Sequence, residues 1–207
     1  MAAIHRKLVF VGDNIGEKNY FQIVYSNGYF PKAWYRKLNE LEAYSGLQYC
    51  HVADVKVDGK HVELSLWYAT GNNPGQEEYD RLRPDPYAND HVILLCFDID
   101  SPNSLDNVQN AASWISAVTS ICSGLPIILV GCKKDLRFDP KTIEGLRKTS
   151  ERPVTPEEGL YVSQIINAYK YLECSAKTGE GVHEVFEHAA RAALLTGKIN
   201  KKKHHCL

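Results

Sequence analysis

Short apolar runs alternate along this chain with segments whose apolar residues recur at helical spacing. Leu8 to Val11 predicts a buried strand. Residues 51–57 and 61–67 (HVADVKV and HVELSLW) flank Asp58-Gly59, a strong short hairpin signal. Residues 91–97 (HVILLCF) and 126–131 (PIILVG) are near-continuous apolar runs, the pattern of strands buried on both faces. Lys170 to Cys174 predicts a short last strand. Strands interleaved with helices predict an α/β sheet covered by helices.

The helices carry their own start and stop signals. Thr155-Pro156-Glu157-Glu158 has a Thr to cap, Pro at the first helical position and Glu to reach back. In the last helix, Val182, Phe186, Ala189, Ala190, Ala193 and Leu194 share one face and are core positions. Residues 31–46 also predict a helix, started by Pro31 and stopped by Gly46, with a narrow stripe of Trp34, Leu38 and Leu41.

Composition narrows the class without naming a chemistry. A chain of 207 residues with 44% apolar and 24% charged residues suits one α/β domain. A net charge of −1 gives no pull toward nucleic acid. The six cysteines form no C-x-x-C pair, so no zinc or redox motif is expected, and Cys96 and Cys132 lie in apolar strands as core thiols. MAAIHRKLVF is too short and too charged for a secretory signal, which predicts a cytoplasmic protein. Lys201, Lys202 and Lys203 make the only dense basic run.

Chemistry enters at VGDNIGEKNYF, residues 11–21, which follows the first strand. A phosphate-cradling loop reads G-x-x-x-x-G-K-[ST], with glycines letting backbone N–H groups close on the oxygens. Gly12, Gly16 and Lys18 are present, while Glu17 replaces the second motif glycine and Asn19 the hydroxyl residue. Three further segments follow in order: GQEEYDRLRP from Gly75, VGCKKDL from Val130 and ECSAK from Glu173. In this order and spacing the chain resembles a Rho-family small GTPase, most of all the fungal members. The resemblance covers nearly the whole chain, including a family-specific extra segment at about Asp135 to Pro153.

The resemblance implies a three-layer P-loop small-GTPase fold. Its sheet would have six strands, mostly parallel with one antiparallel, and the extra segment would add an insert helix. The domain would span residues 1–197, followed by a flexible basic tail, 198–207. It implies a phosphate-binding set of Gly12, Asp13, Asn14, Gly16, Glu17, Lys18, Asn19 and Gly75, and a guanine-binding set of Phe30, Lys133, Asp135, Ser175, Ala176 and Lys177. Asp135 would accept hydrogen bonds from the base, the stems of Lys133 and Lys177 would sandwich it, and Phe30 would pack on its edge. Cys132 stands where the general pattern has Asn, as in fungal Rho proteins. Gln76 occupies the water-orienting position, and GTP, GDP and Mg²⁺ are the implied ligands.

The departures cluster on the phosphate and metal side. Asn19 offers Mg²⁺ a neutral amide oxygen, a poorer ligand for a hard cation. Tyr68 takes the place of the D-x-x-G aspartate, and segments 35–50 and 69–74 read as insertions. Glu17 sets a carboxylate where phosphate should lie; at about 4 Å and an effective dielectric of ~20, like charges repel by roughly 4 kcal/mol. The expectation is a monomeric signalling protein with weak or absent GTP hydrolysis and an idle Gln76, a pseudo-GTPase acting through protein contacts. An active GTP switch and a guanine-nucleotide binder without hydrolysis stand as alternatives. Tyr79, Leu82 and Arg83 match the family's patch for regulators and effectors, whereas Asp85-Pro86 adds charge beside it. One residue follows Cys206, so the C-a-a-X lipidation motif is not met, and the basic tail predicts weak membrane attraction at most.

Overall fold

The structure is a computed structural model that describes residues 3–12, 20–21, 23–26, 28, 30, 46–70, 91–110 and 125–203. Its strands are β1 (Ile4–Val11), β2 (Gly46–Val57), β3 (Lys60–Thr70), β4 (Val92–Asp98), β5 (Ile127–Cys132) and β6 (Lys170–Glu173). They form one six-stranded sheet in the order β2-β3-β1-β4-β5-β6. β2 runs antiparallel to β3, and the other neighbours pair in parallel. Helical residues 20–21 and 23–26 form α1. The remaining helices are α2 (Pro102–Asn110), α3 (Pro140–Arg147), α4 (Pro156–Ile165) and α5 (Val182–Lys203).

β4 and β5 are buried along their whole length, as their unbroken apolar runs require, because helices cover both faces. On one face Leu8, Phe10, Leu64, Leu94 and Val130 pack against Phe21 of α1 and Phe186, Ala189 and Ala193 of α5. On the other face Val9, Ile93, Phe97 and Leu129 pack against Leu105 and Val108 of α2 and Val162 of α4. The small side chains of α5 let that helix lie close on the sheet.

Local signals read from the sequence act where expected. Asp58 and Gly59 both have positive φ, 49° and 72°, the geometry of a tight hairpin turn matched to strand twist. Thr155 caps α4 with a full capping box: its hydroxyl accepts from the Glu158 N–H and the Glu158 carboxylate accepts from the Thr155 N–H. The insert segment forms α3, capped by Asp139, whose carboxylate accepts from the Thr142 N–H. No residue of α3 is buried, and Phe138 beside it is 83% exposed. Cys96, Cys132 and Cys174 are buried free thiols.

Several boundaries differ from the sequence reading. β1 begins at Ile4 rather than Leu8, because its polar first half pairs with β3 from Val62 onward. Gly46, read as a helix stop, opens β2; residues 31–45 of that expected helix lie outside the described residues. β3 continues to Thr70, so parts of the two apparent insertions pair with each other, Gly46 with Thr70 and Leu47 with Ala69, and Gln48 pairs with Tyr68 beside them. The extra chain thus extends one hairpin, with a register irregularity between Tyr49 and His51. At the other end, α5 runs to Lys203, past the expected domain end at residue 197. Among the described residues no helix is long and apolar enough to cross a membrane.

Candidate nucleotide site at the strand ends

The parallel strands β1, β4, β5 and β6 all end on the same side of the sheet. Open α/β sheets bind ligands in that crevice, outside the carboxyl ends of their strands. Gly12 follows β1 with φ 142°, and a Cβ there would lie 2.2 Å from the Cys96 carbonyl oxygen of β4. Only glycine lets the chain leave β1 this close to its neighbour. The next predicted residues, Asp13, Asn14, Gly16, Glu17, Lys18 and Asn19, lie outside the described residues, as do Gly75 and Gln76.

The base-side residues come together at the ends of β5 and β6. Lys133 leaves β5 in a left-handed conformation, φ 59°. Asp135 sits in the 3₁₀ turn Lys134–Leu136 that follows. Its Oδ1 accepts a hydrogen bond from the Ser175 hydroxyl at 2.6 Å, and its Oδ2 lies 3.2 Å from the Lys177 ammonium. Ser175 is buried and its Oγ also accepts from the Thr178 N–H at 3.1 Å, which fixes its direction. The Lys134 N–H donates to the Cys174 carbonyl at 3.0 Å, joining the two loops. Phe30 packs its ring 4.7 Å from that of Tyr20, and both Phe30 and Ala176 lie against the same apolar core.

Two residues that the sequence reading did not single out complete the cluster. The Lys133 ammonium lies 3.2 Å from Asp98 Oδ2 and 3.1 Å from Asp100 Oδ1. Asp98 ends β4 and is buried; its backbone N–H donates to the Ser104 hydroxyl at 2.9 Å. The signal available was FDIDS, two carboxylates just past a fully apolar strand. Behind the site, Arg137 grips Glu173 of β6 with two hydrogen bonds, 2.7 and 2.6 Å, and donates to the Val154 carbonyl at 3.0 Å. Burial pushes the Glu173 carboxyl up, but the hydrogen bonds from Arg137 and Tyr171 outweigh it and hold it below the usual range. Beneath the site, a hydrogen bond with Cys174, and burial, push the Cys132 thiol up, against an opposing hydrogen bond with Cys96.

This donor set fits a guanine base. Guanine presents two adjacent N–H donors on one edge, and Asp135 is a carboxylate already oriented by Ser175 and Lys177. Lys177, 66% exposed, places a flexible apolar stem at the rim of the same pocket. For Mg²⁺ the expected ligand, Asn19, lies outside the described residues.

Fold and site define an α/β nucleotide-binding protein whose ligand crevice lies at the carboxyl ends of its strands. A model of the Ras family matches residues 7–195. The chain is 54% identical over 209 residues to GTP-binding protein rho5 of Schizosaccharomyces pombe, covering 99% of this chain and 97% of that one. It is 54% identical over 211 residues to GTP-binding protein rho1 of the same yeast, covering 99% and 97%. Against GTP-binding protein RHO1 of Candida albicans it is 51% identical over 206 residues, covering 100% and 96%. The chain therefore belongs to the Ras family and, within it, to the fungal Rho-type GTPases.

Proposed function

We propose that this Rho-type signalling protein binds guanine nucleotide through an intact base pocket, hydrolyses GTP weakly or not at all, and acts through protein contacts. The observation that carries nucleotide binding is the Ser175–Asp135–Lys177 cluster, an acceptor pair held ready for the guanine edge. The relatives named as GTP-binding support the same ligand. Weak hydrolysis follows from the sequence: Glu17 sets a negative charge against phosphate, and Asn19 and Tyr68 stand at two metal-directing positions. A repulsion of roughly 4 kcal/mol, if fully expressed, lowers affinity on the order of a thousandfold. Gln76 orients water usefully only when metal and terminal phosphate are already placed.

The partner surface of this reading is the segment bearing Tyr79, Leu82 and Arg83. The protein acts as a monomer in the cytoplasm, with the basic tail adding a salt-sensitive attraction to anionic membranes. A second reading, a switch that cycles between GDP and GTP, is favoured by near-full-length identity to proteins named as GTP-binding and by Lys18 and Gln76.

Nucleotide released from the purified protein, followed by titration of a fluorescent GDP analogue with and without Mg²⁺, separates the readings. The proposal expects sub-stoichiometric nucleotide and binding that Mg²⁺ barely strengthens. Stoichiometric GDP with tight Mg²⁺-dependent binding and phosphate release establishes the switch instead. Tight binding without phosphate release leaves a nucleotide binder that does not hydrolyse.

A further inference from the structure

The β2-β3-β1 half-sheet carries a second cluster of chemistry-bearing side chains, outside the nucleotide motifs. Glu63 is its centre. In the sheet register it lies beside His5 of β1 on one side and Asp54 of β2 on the other. His61 stands two residues along β3 and so shares its face. His5 Nδ1 lies 2.7 Å from Glu63 Oε2, and His61 Nε2 lies 3.0 Å from Asp54 Oδ1. One ligand atom from each of Asp54, His61 and Glu63 lies within 4.8 Å of the other two, and His5, outside that group of three, adjoins it through Glu63. The alternating core residues Val62 and Leu64 are fully buried and hold the backbone of this face rigid.

We propose that His5, Asp54, His61 and Glu63 form a binding site for a borderline divalent transition-metal ion, with Zn²⁺ as the type. Two imidazoles and two carboxylates suit Zn²⁺, Co²⁺ or Cu²⁺, whereas Mg²⁺ and Ca²⁺ prefer oxygen ligands alone. Tetrahedral Zn²⁺ needs ligand bonds of about 2.0–2.2 Å, so its ligand atoms stand roughly 3.3 Å apart, and the three mutual neighbours need inward shifts of under about 1 Å each. Exposed side chains make such shifts readily, and His5 and Asp54 are 75% and 70% exposed. Lys56, opposite His61 in the register, is the cation that opposes the ion's charge. The ion joins three strands whose pairings lie far apart in sequence, so it stabilises the hairpin against β1.

The test is a Co²⁺ titration of the full-length chain in excess Mg²⁺, which occupies oxygen-only sites. A parallel sample carries H204Q, H205Q and C206S, because those residues are metal ligands in their own right. The tail variant is expected to bind one Co²⁺ per chain, with visible bands of nitrogen and oxygen ligation and no thiolate-to-cobalt band. Adding H61Q or E63Q to it weakens binding about tenfold or more and removes the Zn²⁺-induced rise in Tm. H5Q, at the most exposed position, is the variant to read should the hairpin substitutions disturb folding as judged by circular dichroism. Absence of Co²⁺ binding in the tail variant, a thiolate band in it, or unchanged binding after H61Q, E63Q and H5Q overturns the proposal. A cation held with nucleotide at the phosphate loop is unaffected by these substitutions and falls in the last outcome.

Discussion

In the proposed function, Asp135 is the residue on which base selection turns. Its carboxylate is oriented by Ser175 and Lys177, and each charge-assisted hydrogen bond it offers a guanine edge is worth roughly 1.5–3 kcal/mol. D135A is therefore expected to weaken GDP binding about a hundredfold or more while leaving any weak ADP binding unchanged, read by competition with a fluorescent analogue. Equal losses for both nucleotides would show that Asp135 does not read the base. Lys133, Asp135, Ser175, Ala176 and Lys177 were expected in the sequence through the family resemblance that their motifs carry. The pairing of Lys133 with Asp100 was not, since it joins residues 33 positions apart and needs β4 and β5 side by side.

Among the elements, the insert segment is tied to β6 by Arg137. Arg137 is 9% exposed and both arms of its guanidinium are on Glu173. R137A leaves that carboxylate buried without its cationic partner, though still bonded to the Tyr171 hydroxyl, and is expected to cost about 3–5 kcal/mol in urea unfolding, with R137K recovering part. A loss under about 1 kcal/mol would place the anchor elsewhere. At the junction of β1, β4 and α5, His91 accepts the Lys7 N–H on Nδ1 at 3.1 Å, and its carbonyl accepts from the Thr196 hydroxyl. Burial first, then the charges of Arg6 and Lys7, push its pKa down to about 4. The unfolded chain titrates this histidine near 6.5. The unfolded state thus binds the extra proton first, so the stability that neutral His91 contributes is full above pH ~6.5 and falls as pH drops toward ~4. H91N, which keeps an acceptor but no titration, should flatten the unfolding free energy over that window; an unchanged pH slope counts against it. Capping and turn signals located α4 and the β2–β3 turn from sequence. The strand ends escaped because Gly46 and Leu47 pair with Thr70 and Ala69, and neither segment reads as strand alone.

For the molecule as a whole, the proposed function sets a side-chain cluster suited to a guanine base against a phosphate loop whose sequence departs from the motif. E17G with N19T removes the misplaced carboxylate and restores a hydroxyl ligand, and the pair is expected to raise Mg²⁺-dependent GDP affinity by up to about a thousandfold. No gain would move the cause to Tyr68 and the segment before β2. The sequence alone determined the class: apolar runs on a helix–strand alternation, with the base-reading motifs in order, specify an α/β sheet and its ligand edge. Those features are local, or nearly so, because propensity, capping and short motifs act over a few residues. Only the tertiary structure decided what distant residues do together. The sheet order set Lys133 on Asp98 and Asp100, merged two apparent insertions into one longer hairpin, and brought His5 across to Glu63 on a face where no single strand carries the whole cluster. Contacts of that kind depend on register between strands, which the buried alternation fixes only once the sheet is assembled.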